Sequence, residues 1–387
     1  MNPVYRRTPV ASEKELDLLE LPVRQAFEEF LRENGLHGTD EPILGMSFIN
    51  GGLHFAVKAL EFIPKDVHVV LVCANLAEKE IDYLSAAGHL VFNHPLNFDN
   101  ELMYEMLMDS TSGDFGWVDA DCFVLDPSLW SELLADIDET TSAHAAFTYE
   151  PLGFAKTPLV MWSRNIRKPL ADTGTTLNSY AQVPTNAGRI SPYAISRVAG
   201  QHQLDALGDV LGREDDGSLS PHDGLLDIYA NGRTVNSRNR AGAVGWFGPD
   251  MPRTGWLIDT PILAEAVLRQ NGLRARRLSE GNRQITDRII HVGASGYRQR
   301  MRNEGASNEY LARFRLTDLF EVLLADELSD RGLSEHYAEL SARQADQLAS
   351  EAGIASDEIK GYAQSMLRDH GLDMEKLRAD HRMGFLF

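Results

Sequence analysis

The chain has 387 residues, of which 43% are hydrophobic, and it carries a formal net charge of −20 at neutral pH. This acidic balance argues against non-specific binding to nucleic acid or to anionic lipid. No apolar run approaches the length of a membrane span, and the polar N-terminus lacks the apolar core of a signal peptide. We therefore expect a soluble, cytoplasmic protein.

The N-terminal part of the sequence predicts one helix and then alternating strands and helices. Apolar residues at helical spacing predict an amphipathic helix from Ser12 to Asn34. The strands and helices predicted after it alternate in the order Ile43–Ile49, His54–Phe62, Val67–Cys73, Ala77–Ala87, His89–Asn93 and Phe98–Asp109. This alternation is typical of a mostly parallel sheet covered by helices. It predicts an α/β fold of the Rossmann-like, three-layer αβα type.

Polar residues follow the predicted strands at one edge of this sheet. Asn50 follows the first strand, Asn75 the second and Asn93 lies at the end of the third. In such sheets ligands bind at the carboxyl ends of the strands, so this edge is the predicted binding edge.

The most informative segment contains two acids separated by one residue, Asp119 and Asp121, between apolar β-formers at a predicted strand end. In an extended chain both side chains point to the same side. Two carboxylates this close repel each other unless a cation lies between them, and hard divalent cations prefer carboxylate oxygens. The segment therefore predicts a site for Mn²⁺ or Mg²⁺. A loop whose acids are merely solvated is the open alternative.

The second half of the sequence is less regular. Its predicted strands are Ala143–Tyr149, Leu159–Ser163, Gly255–Ile258, Leu273–Leu278 and Arg288–Val292, and a Gly-rich segment lies between Gly224–Tyr229 and Gly255–Ile258. A helix is predicted over Thr260–Gln270, and loops with short helices are predicted from Lys168 to Ser220. Beyond Glu304 the composition predicts about four amphipathic helices without strands, which would form a cap or a dimer arm.

The charge and the cysteines add two expectations. Between Asn231 and Arg315 there are fifteen Arg, no Lys and seven Asp or Glu. Guanidinium groups suit phosphate oxygens, although a solvated basic surface is the expected role of most of these arginines. Cys73 and Cys122 lie in apolar, strand-like runs and are predicted to be core thiols.

From about Ile43 to Arg300 the order of these motifs resembles that of the GT-A glycosyltransferases, whose Asp-x-Asp motif also follows an apolar strand. In that superfamily the motif holds Mn²⁺ or Mg²⁺, which bridges the two phosphates of a nucleotide-sugar. The resemblance implies a GT-A-like domain at 41–303, and the helical appendage at 1–40 and the helical region at 304–387 fall outside it. Within the domain, residues 41–150 would form the nucleotide-sugar half and residues 151–303 the acceptor half.

The same resemblance implies an enzyme, a hexosyltransferase-type glycosyltransferase, and roles for single residues. It would transfer a sugar from a nucleotide-diphosphate sugar to a hydroxyl of a saccharide, natural product or protein. His291 is similar to the late metal ligand of the superfamily, with His-x-Gly spacing here, and would join Asp119 and Asp121. Asp259 would be the general base, with a helix cap as the open alternative. The residues implied to contact the donor are Phe48, Asn50, Asn75, Asp99, Asn100 and Asp119. Arg298, near the glycine-containing turn after His291, is also expected to contact a donor phosphate.

Several alternatives stay open at the level of sequence. The cluster His222, Asp223 and Asp227 would supply the base or bind the acceptor if it does not lie in a surface turn. A sugar-nucleotide nucleotidyltransferase would share the layered sheet, but the turn after the first strand lacks that class's cationic residues. A non-catalytic carbohydrate-binding or scaffold protein is a third interpretation. The C-terminal helices would then serve assembly, and in any of these cases they suit a homodimer.

Overall fold

A computed structural model provides the fold. It describes residues 13–95, 100–149, 152–177, 179–183, 197–198, 201–211, 226–230, 233–234, 254–258, 260–279, 286, 288–293, 295–296, 298–299, 315–329, 331, 333 and 335–368. No helix in this part of the chain combines the length and the apolar character that crossing a bilayer requires.

The described elements follow the predicted alternation. The helices are α1 (Glu13–Glu33), α2 (Leu53–Glu61), α3 (Glu78–Ala86), α4 (Asn100–Ser110), α5 (Pro127–Leu133), α6 (Arg167–Thr173), α7 (Gln201–Leu211), α8 (Thr260–Gln270), α9 (Arg315–Ser329), α10 (Glu335–Ala352) and α11 (Ser356–Arg368). The strands are β1 (Ile43–Ile49), β2 (His68–Ala74), β3 (Leu90–His94), β4 (Phe115–Val118), β5 (Cys122–Val124), β6 (Thr141–Ala145), β7 (Thr148–Tyr149), β8 (Phe154–Ala155), β9 (Leu159–Trp162), β10 (Ser179–Val183), β11 (Arg197–Val198), β12 (Leu226–Ala230), β13 (Arg233–Thr234), β14 (Thr254–Ile258), β15 (Arg274–Arg277) and β16 (Ile289–His291).

The main sheet has seven strands in the order β15-β6-β9-β4-β1-β2-β3. The pairs β15–β6, β4–β1 and β2–β3 are parallel, whereas β9 runs antiparallel to both of its neighbours. Crossovers between parallel strands require connecting segments long enough for a helix, which α2, α3 and α4 provide. The predicted α/β fold, with a mostly parallel central sheet flanked by helices, is confirmed.

Two regions differ from the predicted elements. The predicted strand Ala143–Tyr149 is divided, because β6 pairs within the main sheet while β7 pairs with β8 in a separate two-stranded sheet. The loops predicted from Lys168 to Ser220 contain α6, α7 and two strands of a five-stranded sheet, β11-β10-β14-β12-β13. Strand β10 pairs with β14, which lies far along the chain, so local sequence gave little signal for it.

Contacts divide the chain into two compact units. Unit 1 comprises Met1–Gly45, Leu96–Val118 and Glu132–Asn282, and unit 2 comprises Met46–Pro95, Asp119–Ser131 and Arg283–Phe387. In unit 2, helices α9, α10 and α11 pack against one another, and α9 also packs against α2. The predicted boundaries after residues 40 and 303 stay predictions.

In unit 1, strand β4 is fixed by a closely packed aromatic pair. Trp117 is fully buried, and its ring meets that of Tyr104 edge-on at a centroid distance of 4.8 Å. Gly45 of β1 pairs with Trp117, and a Cβ at this glycine would meet the Trp117 ring and lie 2.8 Å from Leu107. A glycine is therefore needed where β1 passes the ring.

We expect Gly45→Val to destabilise the protein by about 1–3 kcal/mol, because extra atoms in a closely packed core force side chains or backbone to shift. Urea unfolding would measure the loss. Gly361→Ala in α11 is the control, since a Cβ there meets nothing within 4 Å and alanine favours helix. A Gly45→Val protein as stable as the wild type would contradict this account of the β1–β4 contact.

Candidate metal centre

The two predicted acids lie in a tight connection between strands. Strand β4 ends at Val118, and β5 begins at Cys122, whose N–H donates to the carbonyl of Asp119 at 3.0 Å. Strand β5 pairs antiparallel with β16, in a register that sets His291 opposite Cys122. The N–H of Val292 then donates to the carbonyl of Asp121 at 3.0 Å. Pairing of β5 with β16 thus brings residues from distant parts of the sequence together within unit 2.

The two-stranded sheet of β5 and β16 packs against aromatic rings. Phe123 of β5 is fully buried, with ring centroids 6.1 Å from Phe62 and 6.0 Å from Phe320. Because successive side chains of a strand alternate between its faces, burying Phe123 directs its neighbours to the other face. The contacts of Phe123 with Phe62 and Phe320 therefore limit how far β5 and β16 can shift.

The side chains of Asp119, Asp121 and His291 converge. Nε2 of His291 lies 3.4 Å from Oδ2 of Asp119 and 3.4 Å from Oδ1 of Asp121. One ligand atom from each residue lies within 4.8 Å of the other two. The Asp119 side chain is 23% exposed, whereas those of Asp121 and His291 are 5% and 9% exposed. Asp121 and His291 are thus buried, and the Asp119 carboxylate is more accessible to solvent.

A backbone donor orients the buried carboxylate. The N–H of Ser295 donates to Oδ2 of Asp121 at 3.0 Å, while Oδ1 of the same carboxylate faces His291. In the structure this N–H fixes the orientation of a predicted metal ligand, the kind of outer contact that ligating carboxylates commonly have.

The charges of the three groups are strongly linked. Burial by itself would lower the pKa of His291, but contacts with Asp119 and Asp121 outweigh it and raise that pKa to about 10. Burial would raise the pKa of Asp121, yet His291 and the Ser295 N–H together lower it. In the absence of a metal, a protonated imidazole therefore neutralises part of the negative charge of the two aspartates.

The cysteines do not join this group. Burial, followed by the charges of Asp119 and Asp121, raises the pKa of the Cys122 thiol well above its ordinary value. Burial does the same for Cys73, with a smaller effect of Glu80. Both thiols are buried and free, as the sequence predicts.

Two of the predicted donor-contacting residues lie at adjacent strand ends in unit 2. Asn50 follows β1 and is exposed, and its N–H donates to the carbonyl of Ala74 at 3.1 Å. Asn75 follows β2 with a left-handed backbone (φ 56°), a conformation that asparagine tolerates better than most residues. Its Nδ2 donates to the carbonyl of Pro95 at 2.7 Å, which organises the chain after β3.

The other predicted site residues have different surroundings. Phe48 is 5% exposed, so its ring belongs to the core. Asn100 begins α4. Arg298 is 2% exposed, and its guanidinium pairs with Asp318 and Glu321 of α9 rather than facing solvent. Their predicted roles as donor contacts stay predictions.

Some predicted residues fall outside the described part of the chain. These are Asp99, the predicted base Asp259, and His222 and Asp223 of the alternative cluster. Asp227 of that cluster lies in β12, where it pairs with Leu257 of β14.

The carboxylates that pair with Arg298 were missed at the level of sequence. Asp318 and Glu321 lie three residues apart on α9, among residues with apolar spacing, and are 1% and 0% exposed. Acidic residues on the apolar face of a helix predict a buried cationic partner, since charged groups are rarely buried unless paired. That signal was available but does not identify which arginine pairs with them.

Two comparisons with known proteins bear on this site. A family model described as the StrH glycosyltransferase N-terminal domain matches residues 18–167, which include Asp119 and Asp121. Over 285 residues the chain is 25% identical to a Streptomyces griseus protein, the dTDP-dihydrostreptose–streptidine-6-phosphate dihydrostreptosyltransferase. The similarity covers 72% of this chain and 73% of that protein. Both comparisons support a glycosyltransferase. The prediction that the chain is a glycosyltransferase is thereby confirmed.

Proposed function

We propose that this protein is a metal-dependent glycosyltransferase of the GT-A, Asp-x-Asp type. It would move a sugar from a nucleotide-diphosphate sugar to a hydroxyl acceptor. The observation that carries the proposal is the convergence of Asp119, Asp121 and His291, with three ligand atoms within 4.8 Å of one another. Two carboxylates and one imidazole that converge at a strand end offer the ligand atoms that a divalent cation can use.

The three ligand atoms suit a divalent cation. Two carboxylate oxygens and one imidazole nitrogen suit Mn²⁺, and they suit Mg²⁺ less well because imidazole is a softer ligand. The Ser295 N–H occupies Oδ2 of Asp121, so that Oδ1 remains directed at the other two ligands. A bound cation would act as a Lewis acid that stabilises the negative charge developing on the departing diphosphate.

The other roles in donor binding and proton removal would fall to single residues. Asp119, the most accessible of the three, would face the donor, whereas buried Asp121 and His291 would fix the site. Asn50 and Asn75, at the ends of adjacent strands, would contact the nucleotide. Asp259 remains our candidate for the base that removes the proton of the acceptor hydroxyl.

The relative from Streptomyces griseus suggests where to look for substrates. Its name gives dTDP-dihydrostreptose as the donor and streptidine-6-phosphate as the acceptor. We propose a dTDP-linked sugar as the first donor class to test here. Specificity depends on the shape of the site and not on the fold, so other nucleotides belong in the same screen.

A thermal-shift screen of dTDP, UDP and GDP, each with and without Mn²⁺, tests the proposal. A ligand that binds only the folded state at 100 times its Kd stabilises that state by about 2.7 kcal/mol. We expect one diphosphate to raise the Tm by several degrees with Mn²⁺ and by much less with EDTA. The matching monophosphate is the control, because it lacks the second phosphate. The absence of any Mn²⁺-dependent shift would contradict the proposal.

A further inference from the structure

Beyond the three predicted ligands, the chain segment after β16 contacts the site at several points. Its Val292 and Ser295 N–H groups both donate to Asp121, one to the carbonyl and one to the carboxylate. Gly293 between them has a left-handed backbone (φ 77°), and its carbonyl faces the Thr317 hydroxyl of α9 at 3.4 Å. The orientation of Asp121 therefore depends on where this segment lies.

Arg298 attaches the same segment to α9. Its guanidinium pairs with Asp318 and, at 3.0 Å, with Glu321, and Arg315 also donates to Asp318 at 2.8 Å. Arg298, Asp318 and Glu321 are each at most 2% exposed. Such a group tolerates little change, because removing one member leaves a buried charge without compensation.

The segment also reaches the loop after β1. The side chain of Gln299 occupies the space that a Cβ would fill at Gly51, whose backbone is left-handed (φ 90°). Only glycine suits that position, because the backbone is left-handed and a Cβ would meet the Gln299 side chain. Glu321 of α9 lies 3.4 Å from Nε2 of His54 at the start of α2. The buried ion pairs thus link the segment after β16, through Glu321 of α9, to His54 of α2.

We propose that Arg298 is a positioning residue for the metal site. Together with Asp318 and Glu321 it would hold the segment after β16 so that the Ser295 N–H keeps Asp121 oriented for the metal. The C-terminal helix α9 would then be part of the metal site's support and not a separate appendage. This inference rests on the proposed function, because it assumes that Asp119, Asp121 and His291 hold a cation.

The test is the Mn²⁺ affinity of the full-length chain, measured with Mn²⁺ alone by calorimetry and by the electron paramagnetic resonance of free Mn²⁺. Arg298→Lys keeps the charge but loses the planar fork that meets two carboxylates. We expect it to weaken Mn²⁺ binding by about 10- to 100-fold, as for other groups that orient metal ligands. Asp318→Asn, which changes the α9 side of the pair, is expected to act in the same direction and decides the matter if Arg298→Lys does not fold.

Arg288→Lys is the matched control. Arg288 precedes β16 and pairs with Asp126 at 2.7 Å, at the end of the β5–β16 sheet that lies away from His291. The Arg288 side chain is 26% exposed. We expect it to bind Mn²⁺ like the wild type. The metal-free Tm of every variant is measured as well, and binding is compared well below each Tm, since a purely structural role would lower the Tm without changing the affinity of the folded protein.

The outcomes separate the two proposals. Weaker Mn²⁺ binding in Arg298→Lys or Asp318→Asn, with Arg288→Lys unchanged, supports the inference. Folded Arg298→Lys and Asp318→Asn proteins that bind Mn²⁺ like the wild type overturn it and leave the proposed function in place. A wild-type protein that does not bind Mn²⁺ overturns the metal-dependent part of the proposed function, and this inference with it.

Discussion

Asp121→Asn is expected to reduce Mn²⁺ affinity, and metal-dependent sugar transfer, by more than 100-fold. Asparagine has nearly the same shape and can still accept the hydrogen bond from the Ser295 N–H, so the variant is expected to fold. What is lost is a negative charge next to His291 and, on our proposal, a direct ligand of the cation. Changes to groups that merely orient ligands cost about 10- to 100-fold, and loss of a ligand should exceed that.

Calorimetry with Mn²⁺ and turnover of the nucleotide sugar selected by the thermal-shift screen would measure the loss. Asp126→Asn is the control. Asp126 lies beyond the other end of β5, where it pairs with Arg288 and accepts from the Ser128 N–H near the surface. We expect its Mn²⁺ affinity to match that of the wild type. Equal turnover of Asp121→Asn and wild-type protein would remove the metal from the mechanism.

The convergence of the candidate site could be predicted from the sequence for specific reasons. Alternating strands and helices predict the sheet, and the apolar residues before Asp119 predict that the acids follow a strand. The prediction that both acids lie in an extended strand is wrong, because they lie in a turn closed by the hydrogen bond from the Cys122 N–H to the Asp119 carbonyl. The approach of His291 was suggested by motif order. The antiparallel pairing of β5 with β16 supplies the physical reason, since it sets His291 beside Cys122.

The contacts that orient the predicted metal ligands could not be predicted from the sequence in the same way. The hydrogen bond from Ser295 to Asp121 joins residues 174 positions apart through a backbone N–H, and any residue except proline carries one. The burial of Arg298 opposes the general preference of arginine for the surface. Such features depend on long-range packing, for which the local sequence has no periodic signal.

The C-terminal helices illustrate the same difference between local and long-range information. Their existence follows from amphipathic spacing, which predicts helices beyond Glu304 that would form a cap or a dimer arm. Their packing within unit 2 combines apolar contacts, such as that of Phe320 with Phe123, with buried polar ones, such as the 2.6 Å hydrogen bond from the Tyr337 hydroxyl to Glu80 of α3. The Tyr337 and Glu80 side chains are both buried, so this hydrogen bond fixes α10 at one place on the unit.

The metal-free protein is expected to lose stability as the pH rises above neutral, because of His291. The folded-state pKa of this residue is raised to about 10 from an ordinary value of 6.5. Its charged form therefore stabilises the fold fully below pH 6.5, and this contribution is lost as the pH rises through about 10. Each pKa unit corresponds to about 1.4 kcal/mol, so urea unfolding at increasing pH should show a decrease of several kcal/mol.

The same proton competes with the proposed cation, and this sets the pH dependence of metal binding. A metal can bind only the neutral imidazole, so below pH 10 each Mn²⁺ bound at this site must displace a proton from His291. We expect Mn²⁺ affinity to rise with pH by up to about tenfold per unit between about pH 6.5 and pH 8.5. Calorimetry in buffers of different ionisation enthalpy would count the released protons.

His291→Asn separates this effect from other titrations. The variant should bind Mn²⁺ more weakly at every pH, and both its affinity and its metal-free stability should depend much less on pH. His336→Asn, which changes an exposed histidine of α10, should keep the wild-type dependence. Wild-type binding without proton release would mean that Mn²⁺ does not use the imidazole of His291. The two aspartates would then have to hold it with other ligands.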